Sequence, residues 1–204
     1  MNEDQVLAKL DSMKKTRRLL SKVTLIAAIV AIVFLLAYNF MPVANLTVDT
    51  AGNTFEGKGF DFPGWQLLYY GIGRQFIPDR NYFDPNPITI LALFLPLIAL
   101  IVCSRTYNNT RNKGKAIKEF ISAATLIYGG IVLGNITNFA YFAATTKADN
   151  FRATYLDVAE SSFTNLPYAK ITMIVLFIVA VIKIANGAFL LYQKSYARKN
   201  APKK

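Results

Sequence analysis

Four long apolar runs alternate with five polar segments along this chain of 204 residues. The runs are 23–40 (VTLIAAIVAIVFLLAYNF), 87–103 (PITILALFLPLIALIVC), 120–144 (FISAATLIYGGIVLGNITNFAYFAA) and 171–192 (ITMIVLFIVAVIKIANGAFLLY). A helix rises about 1.5 Å per residue, so roughly 20 residues cross a hydrocarbon layer of about 30 Å. None of the runs carries the polar stripe that a helix of a soluble protein keeps toward water. The pattern predicts an all-α integral membrane protein, with four transmembrane helices in a left-handed bundle. The first run is too long for a secretory leader and lacks a small-residue cleavage site, so it reads as a retained anchor.

The connections carry shorter patterns. In 1–22, Val6, Leu7, Leu10, Met13, Leu19 and Leu20 recur at roughly helical spacing. Either an amphipathic helix on the membrane surface or a partly ordered tail fits them. In the long connection 41–86, NLTVDTAGNTFEGKGF alternates apolar and polar residues around a turn signal, which predicts a β-hairpin. The next stretch, FDFPGWQLLYYGIGRQF, places Trp65, Leu68, Tyr69, Ile72 and Phe76 on one helical face. Gln66, Tyr70 and Arg74 fall on the opposite face, Asp61 and Pro63 can open the helix, and Pro78 ends it. Gly71 and Gly73 each cost about 1 kcal/mol of helix propensity, so such a helix needs a surface to lie on. That surface is the hairpin with the headgroup layer, or a partner chain, and Trp65, Tyr69, Ile72 and Phe76 form the expected outer contact face. In 145–170, Phe151, Tyr155, Val158 and Ala159 share a face, which predicts a helical extension of the third span.

Charge then orients the spans. Sixteen lysines and arginines lie in 1–22, 104–119 and 193–204, against six in 41–86 and 145–170. Acidic residues run the other way, four against eight. The positive-inside rule therefore predicts cytoplasmic N- and C-termini, most simply in a plasma membrane. The net charge of +11 is accounted for by topology and by anionic inner-leaflet lipids, which leaves no call for nucleic acid.

Candidate chemistry is sparse. There is no histidine, one cysteine (Cys103), and no Asp or Glu within the four runs. Histidine-ligated metals, disulfide exchange, intramembrane aspartyl dyads and phosphate-loop chemistry all lack their residues. No catalytic residue, metal or cofactor is expected. Asn45-Leu46-Thr47 is a glycosylation sequon on the outer side.

The exception is Lys183, near the middle of the fourth run, where a charge costs roughly 2.5–3.5 kcal/mol. It shares a helical face with Ala180 and Gly187, with Asn186 expected about 100° away on a turn of 3.6 residues. With no acid in the runs, Tyr128 and Thr125 are the expected acceptors, unless the side chain snorkels to the headgroups. A Ser122–Lys183 dyad has the right residue types, but at different depths. Gly130 and Gly134 form a GxxxG with Asn135 and Asn138 close behind, a pattern for close helix packing within the bundle or at a subunit interface.

Four spans with both ends inside, a long first outer loop bearing Gly64-Trp65 and a shorter second one resemble the claudin-type tetraspan topology. That family's outer loop carries a tryptophan and a cysteine pair. Only the Gly-Trp element is matched here, so the outer subdomain is expected without a disulfide clamp. By elimination, the expected function is non-catalytic: an assembly, accessory or adhesion-like subunit that contacts other membrane subunits or copies of itself. The alternative is a channel or transporter component with a polar path along Lys183, Asn135 and Asn138.

Overall fold

The computed structural model describes residues 3–48, 58–69, 87–105, 112–142 and 162–200. In chain order these form α1 (Glu3–Tyr38), β1 (Pro42–Val48), β2 (Lys58–Pro63), α2 (Gly64–Tyr69), α3 (Pro87–Arg105), α4 (Asn112–Gly134), α5 (Ile136–Phe142), β3 (Ser162–Asn165) and α6 (Pro167–Lys199). Helices α1, α3, α4 and α6 are each long and apolar enough to cross a membrane. The helix α4 packs between α6 and α3, and α6 also packs along α1. Contact between α1 and α3 is slight, so the bundle is closed weakly along that side.

The interior combines small residues such as Ala28, Ala31, Ala92, Ala123 and Ala180 with leucines such as Leu35, Leu93, Leu126 and Leu176, whereas Ile26, Ile98, Ile131, Ile178 and Val181 face outward. Lipid tails are as apolar as isoleucine, so an outward isoleucine costs nothing, and the small interior residues let backbones approach. This arrangement fits hydrocarbon surroundings and would be an extensive apolar surface in water.

Glycines set the closest approaches. A Cβ on Gly130 would meet the Phe177 ring, and one on Gly134 would meet Met173, both on α6. The neighbouring Gly129 faces α3 instead, where a Cβ would lie 2.7 Å from the Ala92 carbonyl oxygen. Pro96 has no N–H to give that carbonyl, and the chain fills the resulting notch with a residue that has no side chain.

Residues 3–22 form neither a separate short helix nor a loose tail; they continue α1 without a break. The stretch has no Gly or Pro and is rich in Leu, Lys and Arg, all good helix formers. It packs against the far end of α6, with Met13 buried and the Lys9 ammonium 4.8 Å above the Tyr196 ring. Helix α4 begins at Asn112, ahead of the third apolar run, and the run's helix breaks at Asn135.

Side chains satisfy that break. The Leu133 carbonyl and the Thr137 N–H, which an unbroken helix would pair, find other partners. The Tyr38 hydroxyl donates to Leu133 O at 2.7 Å, and Thr137 N donates to Asn165 Oδ1 at 3.2 Å. Asn135 Nδ2 donates to the Ile131 carbonyl at 2.9 Å, replacing its own backbone N–H, which turns to Val132 O.

The predicted hairpin strands pair antiparallel, with Asn45 opposite Asp61 and Leu46 opposite Phe60, and their connection lies outside the described residues. The sheet is larger than a hairpin, however. β3, from the segment before α6, pairs antiparallel with the other side of β1, giving the order β2-β1-β3. Ala44, Leu46, Phe62 and Phe163 form the inward face, and Phe62 meets Phe163 edge to face at 6.0 Å between centroids. Of the helix expected over 151–163, only its last two residues are described, and they belong to β3.

The aromatic helix is described over Gly64–Tyr69, with 70–76 outside the described residues, and it turns a different face inward than predicted. α2 buries Gly64, Gln66, Leu67 and Leu68, leaving Trp65 exposed, because its N-terminus abuts the end of α1. Gly64 N donates to Met41 O at 3.1 Å and Trp65 N to Asn39 O at 2.9 Å. Gly64 lies so close to the Tyr38 carbonyl that a Cβ would overlap it.

Tyr38→Phe keeps the ring and removes the donor to Leu133, so it should cost about 1–3 kcal/mol. The loss should appear as a lower thermal midpoint in detergent micelles, and an unchanged midpoint would refute this account of the helix break. Gly64→Ala should displace α2 and shift the emission of Trp65, the single tryptophan; wild-type emission would count against the close approach.

A buried ion pair as the candidate functional site

Lys183 is the central residue of α6, and its side chain turns into the bundle, where the residue is only 4% exposed. The helical phase explains this. Thr172, Leu176, Val179, Ala180, Lys183, Asn186, Gly187 and Leu190 recur at intervals of three and four and together make the buried stripe. Asn186, expected about 100° away, therefore shares the lysine's face, since three residues along a helix return to within about 60°.

The partner of Lys183 is neither Tyr128 nor Thr125. Tyr128 donates its hydroxyl to the Ile88 carbonyl on α3, and Thr125 donates to Ser122 O. The ammonium instead lies 2.9 Å from Glu119 Oε2, and both side chains are almost fully buried. Asn186 Nδ2 donates to the other carboxylate oxygen, Oε1, at 2.9 Å. Lysine, glutamate and asparagine thus form one neutral cluster between α4 and α6. Removing charges from water is costly, and a facing opposite charge with added hydrogen bonds is the arrangement that offsets the cost.

Hydropathy hid Glu119. It stands one position before the third apolar run, among Lys113, Lys115 and Lys118, and reads as part of a solvated connection. The usable signal was periodic: Lys115, Glu119, Ser122 and Leu126 continue the buried face of α4 back into the charged segment. Gly187 lets that segment come close, since a Cβ there would lie 3.1 Å from the Phe120 ring and 3.4 Å from Ala116 O.

The cluster borders a cavity of about 170 Å³. Ser21, Thr24, Leu25 and Ala28 line it from α1, Cys103 and Ser104 from α3, and Glu119 and Lys183 form the remaining wall. Leu25 and Ser104 are exposed, so the cavity opens along the weakly closed side between α1 and α3. The Thr24 hydroxyl donates to Leu20 O and that of Ser104 to Leu100 O, which leaves their oxygen lone pairs toward other donors. One turn along α4 from Glu119, the buried Ser122 hydroxyl has no hydrogen-bond partner among the described residues. Ser122 therefore makes no hydrogen bond to Lys183, whose ion-pair partner is Glu119.

The other sequence candidates lie apart. Asn135 accepts from the Lys170 ammonium at 2.8 Å near the sheet, and Asn138 is exposed. Lys170 and Lys183 are separated by about 20 Å of helix rise. Leu126, Leu133, Leu176 and Val179 fill the core over that interval. Gly130 and Gly134 lie on the α4–α6 seam at the sheet end, and Gly187 on the same seam at the opposite end. Of the outer contact candidates, Trp65 is exposed and Tyr69 half-buried, donating to Asn39 Oδ1 at 3.3 Å; Ile72 and Phe76 lie outside the described residues. Asn45 of the sequon sits in the central strand, with Nδ2 donating to Asp61 at 2.7 Å.

No known family model matches the chain, and no curated protein shows significant similarity to it.

Lys183→Met leaves a buried carboxylate with only Asn186 and should destabilise the fold by about 3–5 kcal/mol. Lys183→Met with Glu119→Gln removes both charges and should recover most of that loss in detergent unfolding curves. A double variant no more stable than the single one would rule out ion-pair neutralisation as the role of Glu119.

Proposed function

We propose that this chain is a small polytopic membrane protein that acts without catalysis, through protein contacts, as an assembly, accessory or adhesion-like subunit. In this reading both termini face the cytoplasm and the three-stranded sheet faces outward from a plasma membrane. The charge asymmetry between alternate connections supports that orientation. Its partners are other membrane subunits or further copies of the chain, and its basic ends meet anionic inner-leaflet lipids.

The observation that carries the reading is an exposed apolar cluster at the sheet end. Phe40 is 79% exposed, Met41 43% and Trp65 38%. They are held side by side because the Trp65 N–H donates to the carbonyl of Asn39, next to Phe40. The strands β1 and β3 and the caps from Gly64 and Trp65 fix the junction to the bundle. A fixed aromatic and thioether surface suits the centre of a protein contact, where preorganisation limits the entropy lost on binding. The conduction reading draws less support, because the apolar core between Lys183 and Asn135 interrupts a polar path.

A photo-crosslinking residue at Phe40 should trap a discrete protein adduct in the native membrane, and Trp65→Ala should diminish it. Crosslinking to lipid alone would defeat the contact reading. Orientation is tested separately: a cysteine at Lys58 should react with an impermeant maleimide from outside intact cells, and one at Lys194 should not.

A further inference from the structure

We infer that the cavity beside Glu119 and Lys183 is a binding site for a small zwitterionic group, one bearing an oxyanion and an ammonium, such as a phosphoethanolamine headgroup. The unfilled valences of the cluster point there. An ammonium has three N–H donors, and among the described residues Lys183 meets one partner, Glu119. A carboxylate accepts at about four lone-pair sites, and Glu119 meets one hydrogen bond from Asn186 and the ion pair. Both groups line the cavity, each almost fully buried. A ligand oxyanion can take the spare lysine donors while its ammonium donates to the glutamate. A purely anionic group would meet the Glu119 carboxylate, and a purely cationic one the Lys183 ammonium, each at a repulsive distance in a weakly screened site.

Size and access agree with this class. A cavity of about 170 Å³ has room for one small zwitterion or for five to six waters, at roughly 30 Å³ each. The opening between α1 and α3 is flanked by Leu25, which is 53% exposed. An acyl chain leaving the cavity would meet an apolar rim, while the head would meet Ser21, Thr24 and Ser104. The site lies in the half of the bundle away from the sheet and is independent of the apolar cluster at Phe40 and Trp65.

The same headgroup chemistry can arrive on a lipid or as a free solute, and native mass spectrometry of the full chain distinguishes them. After exchange through mixed micelles, phosphatidylethanolamine should be retained at least ten-fold over phosphatidylglycerol, which lacks the ammonium. It should also be retained over phosphatidylcholine, whose quaternary nitrogen has no N–H for Glu119. Ala28→Leu, which fills the cavity and keeps both charged residues, should abolish the preference, as should Lys183→Met with Glu119→Gln. Free phosphoethanolamine that raises the thermal midpoint in wild type and not in Ala28→Leu would support the site with a soluble source. Equal retention of the three lipids together with no response to phosphoethanolamine would overturn the proposal and leave the cavity as a water site.

Discussion

The ion pair between Glu119 and Lys183 constrains the half of the bundle away from the sheet. A lysine at the centre of a helix in hydrocarbon surroundings has to be solvated by the protein itself, since water and headgroups are out of easy reach. The chain meets this by carrying a charged stretch of α4 into the bundle, so that residues 115–119 pack where hydropathy would place a connection. The close approach at Gly187 follows from that requirement. A Cβ there would lie against the Phe120 ring and the Ala116 carbonyl, so the ring would have to give by a few tenths of an ångström.

At the opposite end the constraint is backbone satisfaction. Helix α4 stops at Gly134 and restarts at Ile136, which frees polar groups in an interior with few alternatives. Each freed group is met by a side chain from a different element: Tyr38 from α1, Asn165 from β3, and Asn135 itself. The break thereby ties the sheet to the bundle, because the residue that caps Thr137 is the last residue of β3. Just beyond, Tyr168 of α6 stacks on Phe34 of α1 at 6.0 Å and joins those two helices.

The four long apolar helices were legible in the sequence because a run of apolar residues needs no partner to be recognised. Pairing of β1 with β2 was legible from local alternation and a short connection. The third strand was not, since Ser162–Asn165 is four residues long and pairs with a segment more than a hundred positions earlier. α2 was misjudged in facing because its environment is set by the end of α1, which no local period encodes. Lys183 stood out as a charge in an apolar run. Its partner did not, because Glu119 sits beside three lysines at the edge of a run, and averaging over a window discards the phase of a single residue. Extending the buried stripe of α4 backward by two turns would have found it.

This last point separates two properties that composition merges. The lysines of the segment before the third run count toward charge asymmetry, yet Lys115 is only 7% exposed and Glu119 only 2%. A residue can therefore contribute to the charge balance of a connection and still belong to the interior of the fold. Position along the helix decides the first property and angle around it decides the second. For the cavity this distinction matters, since it places an acid and a base on one wall while the hydroxyls of α1 and α3 face them. The polar character of the site thus comes from four helices meeting, with each contributing only one or two polar side chains that would be unremarkable alone.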